Sequence, residues 1–346
     1  MLNEKREIDG TLYVFDEVIK KDDLQGRMIT TLIAPNAVFI DDDAIYRCPN
    51  LKKIMAHKLQ NIGDNIVEDC PSLVDVDAPL LKEKGVIYFG SLFIDLNNKK
   101  ILNLGDFSSK LVDVLNEELQ KGERLSLVEK EEGVRVLKLD ENEILKEKDG
   151  KIKGICLPTC LKFPAHALYE NNFVEELCLL STKNMDHNAV YKSKALKKVF
   201  APHLKEVRFS NFSRCPNLEE AILPELEVLG EGCFCYDDKL ASFSFDKLEN
   251  VEKNCFCYLP SVEVFYLKNA EFIGEGSLQS NEKMKAVLLP ELVEIEHGVL
   301  YKSAPEYLYA PKTKERAVRI KYLKNAKQLI KSKDVLRAEY RGRIKE

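Results

Sequence analysis

The stretch GEGCFCY, residues 230–236, recurs 22 residues later as EKNCFCY, residues 252–258. The same interval separates CPNLKK (48–53) from CPSLVD (70–75) in the first quarter of the chain. A fixed period of about 20–50 residues is the sequence signature of a repeat architecture, in which each repeat stacks on its neighbours. We therefore expect a repeat protein whose coils share one continuous core.

An apolar residue begins nearly every copy of the repeat, and we number this anchor as position 0. The anchors are Ile29, Leu51, Leu73, Ile152, Val174, Leu196, Leu218, Leu240, Val262, Met284 and Pro305. Anchors within a block are 22 residues apart, except the last pair, which is 21 apart. The interval from 73 to 152 is not a multiple of 22. The spacing predicts about eleven coils: three over 29–79, eight over 152–311, and an insertion over 80–151.

Positions +3 and +5 are apolar in every copy, and position +6 is often proline. Side chains alternate along a strand, so +3 and +5 share one side of a short extended segment. Proline cannot donate to a ladder, so it ends that segment. Two adjacent apolar residues at +15 and +16, such as Cys233 and Phe234, cannot both face inward from a strand, which predicts a helical or 3-10 turn there.

The repeat follows the pattern φ-x-x-φ-x-φ-P, where φ here stands for an apolar residue, and then I-x-x-x-A-F-x-x-C-x-x-L. This pattern resembles that of the BspA-like subclass of bacterial leucine-rich repeats. Residues 230–240 carry most of the resemblance, although Cys233 and Cys255 replace the usual alanine and Asp237 replaces the usual cysteine. The resemblance implies an α/β repeat solenoid: a right-handed leucine-rich-repeat superhelix with short parallel strands on one face and short helical turns opposite. Members of this family are usually cell-surface or secreted interaction proteins.

The insertion over 80–151 is expected to be folded, because it contains two hairpin patterns and one helical pattern. One hairpin turns at Asn97-Asn98, and the other spans 134–148. Between them, Ser108 or Ser109 is expected to cap a helix that runs to about Lys121.

Both ends of the chain are expected to cap the solenoid. Residues 1–28 form the predicted N-terminal cap, with a strand or hairpin over 10–20. Residues 312–346 contain 13 Lys and Arg against 4 Asp and Glu. Their apolar residues fall at helical spacing: Ile320, Leu323, Ala326, Leu329 and Ile330. This pattern predicts a basic helical cap with a solvated cationic face; the alternative is a site for an anionic partner, such as RNA or an acidic protein.

Composition narrows the classes of function for this chain of 346 residues. The net charge of −5 argues against a protein that mainly coats nucleic acid or an anionic membrane. No apolar run approaches the 18 or so residues of a membrane span. No apolar segment follows the first charges, so a secretory signal is not predicted. The ten cysteines are accordingly expected to be reduced and the protein cytoplasmic, or at the cell surface or secreted if a signal has been removed.

No catalytic or cofactor motif is present in the sequence. Two C-x-C pairs, Cys233/Cys235 and Cys255/Cys257, lie one repeat apart, which allows a zinc site; the simpler interpretation is small core or surface thiols. The five histidines show no ligand spacing, and none lies in 80–151, where a hidden enzymatic site would have to be. We therefore expect neither an enzyme nor a bound metal or cofactor.

The outward positions of the strands carry the functional prediction. Because +3 and +5 point inward, +2 and +4 point out, and several of these positions are apolar or aromatic: Phe200, Ile222, Val264, Tyr266, Leu288, Tyr307 and Tyr309. An exposed apolar patch with aromatic residues is typical of a contact site. The sequence thus predicts a non-enzymatic protein–protein interaction scaffold that binds a partner through its strand face. The alternatives are a C-terminal helix that covers the patch, or a misassigned register.

Overall fold

The computed structural model describes residues 5–63, 66–67, 70, 72–73, 75–103, 107–122, 124–313 and 328–329. The chain divides into two compact units, Met1–Ile155 and Cys156–Glu346, and both contain coils of 22 residues. The solenoid has about 13 turns in all, against the eleven predicted. The two additional turns begin at Thr11–Val14 and Gln328–Leu329. The right-handed path of the coils stays a prediction.

In the first unit, one side of the coils is a sheet in which a hairpin is followed by parallel strands. Its strands are Lys5–Ile8, Thr11–Val14, Thr31–Ile33, Lys53–Met55 and Asp75–Asp77. A second parallel sheet consists of Val18–Ile19, Phe39–Ile40 and Asn61–Ile62. The antiparallel hairpin at the start lies where the sequence predicts the N-terminal cap.

The segment between the two blocks of coils is folded. After a short helix, Pro79–Glu83, come two antiparallel groups of strands separated by a longer helix, Ser109–Lys121. The first group is Val86–Phe89, Leu92–Asp95 and Lys100–Asn103. The second group is Leu125–Glu129, Arg135–Leu139, Asn142–Lys148 and Lys151–Leu157, with a 3-10 turn at Glu131–Gly133.

The local predictions for this segment are confirmed. The Oγ of Ser108 accepts a hydrogen bond from the amide of Leu111 at 3.2 Å, so Ser108 is the helix cap. Asp95 pairs with Lys100 across the first predicted turn, and Leu139 pairs with Asn142 across the second.

In the second unit, each coil contributes two strands, one at +2 to +4 and one at +10 and +11. The first strands are Glu176–Leu179, Lys198–Phe200, Glu220–Ile222, Ser242–Ser244, Val264–Tyr266, Ala286–Leu288, Tyr307–Tyr309 and Gln328–Leu329. The second strands are Lys162–Phe163, Asn184–Met185, Glu206–Val207, Val228–Leu229, Asn250–Val251, Phe272–Ile273 and Glu294–Ile295. We call the surface formed by the outward side chains at +2 and +4 of the first strands the strand face.

The burial pattern confirms the register of the repeat. Val199 and Ala201, at +3 and +5 of one coil, are buried, and the same holds for Val287 and Leu289 four coils further on. Phe243 is the +3 residue that departs from this rule in the second unit, because it is half-buried.

The third side of each coil is a hydrogen-bonded turn, and the described coils contain no helix or 3-10 turn at the predicted place. Positions +14 and +18 adopt left-handed backbone conformations, as at Asn254 and Tyr258, where φ is 56° in both. A right-handed helix cannot pass through such residues. The amides of these two residues bond instead to the next coil, to the carbonyls of Glu275 at 2.9 Å and Gln279 at 3.1 Å.

A ladder of buried hydrogen-bond donors runs through the coils at position +19. Each side chain donates to a carbonyl of the preceding coil: Cys48 to Leu24, Cys70 to Ile45, Ser193 to Leu168, Cys215 to Val190, Asn281 to Phe256 and Ser303 to Leu278. Asn281 also accepts, because its Oδ1 lies 2.7 Å from the amide nitrogen of Leu259. A donor is therefore common at this position, although Leu259, which is also at +19 and buried, carries none.

Asp237 occupies this position in the coil that begins at Leu218, and its side chain is fully buried. Its Oδ1 accepts from the amide of Cys215 at 2.7 Å, as Asn281 does from Leu259. Its Oδ2 has no hydrogen-bond partner. Burial raises the pKa of Asp237 well above its usual value, and the nearby Asp238 adds to the rise. A protonated Oδ2 would give Asp237 a donor, like the other polar side chains of the ladder.

We expect Asp237→Asn to stabilise the protein by an amount that grows as the pH rises. The unfolded chain releases this proton near pH 4, whereas the folded chain retains it, so the wild-type protein loses up to about 1.4 kcal/mol per pH unit between the two pKa values. The buried thiol of Cys215 also has a raised pKa, so it stays neutral across this range. Chemical denaturation at several pH values measures the difference. Asp238→Asn, at an exposed neighbour, controls for the loss of one charge. A difference that does not change with pH would contradict the expectation.

A stack of phenylalanines forms the centre of the second unit's core. The rings of Phe212 and Phe234 are 4.8 Å apart, and those of Phe234 and Phe256 are 5.7 Å apart, all at position +16 of successive coils. All three side chains are buried. Each ring therefore packs on its equivalents one repeat away.

Truncating the rings of this stack should lower the free energy of unfolding, and the effects of two truncations should not be additive. Phe234→Ala and Phe256→Ala are each expected to lower the free energy of unfolding by about 3–5 kcal/mol. The double variant should depart from the sum, because the two rings are in contact. Urea denaturation measures all three, with Tyr301→Ala, 57% exposed, as an aromatic surface control. Losses as small as that of the control would show that these rings do not form the core.

Candidate functional site: an apolar cluster on the strand face

The outward side chains of three successive coils form an apolar cluster near the C-terminal end of the described solenoid. Ala286 and Leu288 are at its centre, 0% and 4% exposed. Four half-buried side chains pack against them: Val264, Tyr266, Tyr307 and Tyr309. We call these six residues the apolar cluster.

Parallel pairing of the strands aligns the cluster in two rows. Tyr266, Leu288 and Tyr309 are paired in register at +4, and Val264, Ala286 and Tyr307 are paired at +2. These are the rows that the 22-residue spacing predicts, so the register of this part of the strand face is confirmed.

The predicted exposure is wrong for Leu288 and Ala286, which are buried although they point outward. Neighbouring rows in a parallel sheet are only about 4.8 Å apart, and a tyrosine ring extends further from the backbone than a leucine or alanine side chain. The flanking coils contribute Tyr266 on one side and Tyr309 on the other, and both pack against Leu288. The accessible part of the cluster therefore belongs to the tyrosines and Val264.

Phe200 and Ile222, the other two predicted contact residues, form a separate group. They are paired in register at +4 of adjacent coils, and Phe200 is 40% exposed. Ser244 lies between this pair and Tyr266 in the same row. The structure thus brings together five of the seven predicted residues and leaves two apart.

Charged side chains border the apolar residues and pair from coil to coil. Lys285 and Glu263, at +1 beside the cluster, lie 3.4 Å apart. Lys197, in the same coil as Phe200, lies 2.6 Å from Glu175 of the preceding coil, and this hydrogen bond raises the pKa of Lys197. Exposed pairs of this kind contribute little stability, about 0–1 kcal/mol each.

The described part of the C-terminal tail does not cross the cluster. Gln328–Leu329 pairs in parallel with Tyr307 and Leu308 and so adds a strand beside the cluster. At these two residues the predicted helix is wrong, because the repeat continues. The rest of the predicted helix lies outside the described residues, and so does most of the alternative site for an anionic partner.

Comparison with known proteins identifies the repeats. The family described as BspA type leucine-rich repeat region matches in six copies, over residues 18–92 and 161–314. The chain belongs to this BspA-type family. The resemblance noted in the sequence is thereby confirmed.

Comparison with solved structures finds distant similarities. A leucine-rich repeat protein from Bacteroides ovatus is 14% identical, with 95% of this chain and 98% of that chain covered and a TM-score of 0.45. A leucine rich cell surface protein from Faecalibacterium prausnitzii is 10% identical, with 94% and 89% covered and a TM-score of 0.31. Comparison with curated proteins finds no significant match.

The cysteines of this BspA-type chain include buried core thiols and a disulfide. Cys233 and Cys255, at +15, are buried, and their Sγ atoms donate to the carbonyls of Arg208 and Gly230, both at 3.2 Å. Cys235 and Cys257, at +17, form a disulfide with Cα atoms 4.9 Å apart. The expectation of ten reduced cysteines is therefore wrong for this pair, because stacking of the coils places equivalent residues within bonding distance.

We expect thiol counting to reveal the Cys235–Cys257 bond. Denaturation without reductant should expose eight reactive thiols, and reduction should raise the number to ten. Cys235→Ser with Cys257→Ser should destabilise the oxidised protein by about 3 kcal/mol, since the bond closes a loop of 22 residues. The same double variant should match the wild-type protein once both are reduced. Ten reactive thiols before reduction would contradict the bond and restore the expected reduced state.

An aromatic stack beside the disulfide was missed in the sequence. Tyr236 and Tyr258, at +18 of the same two coils, stack with centroids 4.5 Å apart, and the guanidinium of Arg214 lies 4.6 Å above the ring of Tyr236. The recurrence of CFCY is the sequence signal for this stack, because it places a tyrosine at +18 of both coils. The interpretation of CFCY from the sequence uses its cysteines and phenylalanines and leaves the tyrosines out.

The described ranges contain no candidate metal site and no candidate membrane span. No group of three or more His, Cys, Asp or Glu side chains there could hold a metal ion. No helix among the same residues is long and apolar enough to cross a bilayer. The first unit does contain a groove of about 520 Å³ with a mainly polar lining, which includes Asn61, Asp95 and Asn97.

Proposed function

We propose that this BspA-type chain is a non-enzymatic scaffold that binds a protein partner through the strand face of its second unit. The apolar cluster is the observation that supports the proposal. The solenoid core lies on the other side of these strands and does not require apolar residues at +2 or +4. Elsewhere on the face the same positions carry Lys198, Glu220 and Ser242.

The two kinds of cluster residue have different roles in this proposal. Leu288 forms a buried floor that holds the rings of Tyr266 and Tyr309 in place. The tyrosines then present rigid apolar surface with a polar tip, a combination typical of interface anchors. Val264 and Tyr307 extend the surface at +2, and Phe200 and Ile222 supply a second contact further along the face.

The cellular location of the protein forms part of the same proposal. Disulfides persist in oxidising environments and are rare in the cytosol. The Cys235–Cys257 bond therefore supports a location at the cell surface or outside the cell, in place of the cytoplasmic location expected from the sequence. The thiol count described above tests whether the bond on which this location rests is present.

The test compares partner capture by matched variants. Tyr266→Ala and Tyr309→Ala should each weaken partner binding by about 1–3 kcal/mol and change the melting temperature little, because both rings are only half-buried. Tyr301→Ala removes an equally large ring from outside the strand face and should leave binding intact.

Affinity purification with quantitative mass spectrometry identifies proteins that the wild type and Tyr301→Ala retain and the cluster variants lose. Titration calorimetry with the purified partner then gives the affinities. Equal retention by all four proteins would reject the strand face as the binding surface.

A further inference from the structure

The first strands of the second unit do not form one uninterrupted ladder. Ser242–Ser244 pairs with Glu220–Ile222 on one side, and Val264–Tyr266 pairs with Ala286–Leu288 on the other. The two middle strands belong to different sheets of the described structure. On the next side of the same coils, Asn250–Val251 and Phe272–Ile273 remain paired. Two coils are thus joined on one side and separated on the strand face.

A cleft of about 110 Å³ occupies the separation. Its walls include Phe243 and Ser244 on one side and Val264 and Tyr266 on the other, with Lys268 at one end. Val264 and Tyr266 also belong to the apolar cluster, so the cleft is continuous with the proposed binding surface.

Crowding of aromatic rings explains the separation. The coil that begins at Leu240 carries phenylalanine at both inward positions, Phe243 and Phe245, whereas the other coils of the unit carry at most one. Phe243 lies 5.2 Å from Phe245 and 5.3 Å from Phe265 between ring centroids, and Phe245 lies 5.7 Å from Phe256. Excess volume in a packed core is relieved by backbone shifts. The half-buried state of Phe243 fits such a shift.

The hydrogen bonds of the neighbouring coils show what the separation leaves open. The +5 amide ordinarily donates to the +4 carbonyl of the next coil, as Leu223 does to Ser244 at 3.0 Å and Leu267 does to Leu288 at 3.1 Å. The +2 amide ordinarily donates to the preceding coil, as Ala286 does to Glu263 at 3.2 Å. Among the described residues, neither the amide of Phe245 nor that of Val264 makes the corresponding bond across the cleft.

We infer that the cleft binds an extended peptide segment of a protein partner, which adds as a strand to the open edge of Ser242–Ser244. A strand edge offers donors and acceptors at the spacing of another extended backbone, which is the basis of recognition by strand addition. The exposed rim of Phe243 and the ring of Tyr266 favour an apolar side chain on that segment. This inference rests on the proposed function, since it names the element of the partner that the strand face recognises.

The first measurement is amide hydrogen exchange on the full chain. The amides of Phe243 and Phe245 should exchange at least about tenfold faster than those of Phe265 and Leu267, their equivalents in the next coil, because only the latter pair lies in an intact ladder. Equal protection of the two pairs would show that the cleft is closed and would overturn the inference.

The second measurement adds a probe peptide that copies residues 285–290, Lys-Ala-Val-Leu-Leu-Pro, capped at both ends. This segment includes the strand that pairs with Val264–Tyr266. It should slow exchange at Phe243 and Phe245. N-methylation of its alanine, at +2, should weaken the effect about tenfold, because the +2 amide donates to the preceding coil, as that of Ala286 does to Glu263, and this ladder hydrogen bond is then lost. No slowing, or equal slowing by both peptides, would reject strand addition.

A matched pair of variants separates the cleft from general effects on the core. Phe243→Val relieves the crowding, so the ladder should close. The amides at position 243 and of Phe245 should then become protected from exchange, and the peptide should no longer have an effect. Phe212→Val makes the same change in the core two coils earlier, where the ring stacks on Phe234 and does not contact the crowded rings, and should keep the peptide effect. A peptide effect that survives Phe243→Val would overturn the inference. Loss of partner binding in Tyr266→Ala without any peptide effect would keep the proposed function and reject the cleft.

Discussion

Hydrogen bonds between the backbones of successive coils determine almost every other feature of this protein. They occur on three sides of a coil: Leu223 bonds to Ser244, Gly230 to Val207, and Asn254 to Glu275. Because each bond joins residues about one repeat apart, a given position in one coil lies against the same position in the next. Rows of like residues follow, such as the phenylalanines at +16 and the tyrosines at +18. The core, the disulfide and the apolar cluster are all consequences of that stacking.

Much of this could be predicted from the sequence, because burial in a solenoid repeats along the chain. The inward positions +3 and +5 and the cap at Ser108 each depend on a local pattern of apolar or capping residues, and the structure confirms them. The left-handed turns had a signal too, since Asn188, Gly232 and Asn254 share position +14 and such residues favour that conformation. The pair of apolar residues at +15 and +16 was interpreted as a helix because the turn's bonds to the next coil are invisible in a single repeat.

The features that could not be predicted depend on side-chain size one repeat away. Leu288 points outward and yet is buried, because Tyr266 and Tyr309 come from the coils on either side. The sequence predicts ten reduced cysteines, because the closeness of Cys235 and Cys257 follows from the stacking of coils and is not visible in a single repeat. The opening between Ser242–Ser244 and Val264–Tyr266 reflects the summed volume of rings from two adjacent coils, to which a single repeat contributes only a part.

The Cys235–Cys257 bond has a mechanical consequence for a protein built from stacked coils. Tension along the chain would peel such a solenoid one coil at a time, because each coil is bonded only to its neighbours. The disulfide spans 22 residues and joins two adjacent coils. As long as it is intact, about 75 Å of extended chain cannot be released between its ends. An oxidised molecule under load would therefore stretch less than a reduced one, and the aromatic stack of Tyr236 and Tyr258 lies beside the point where peeling stops.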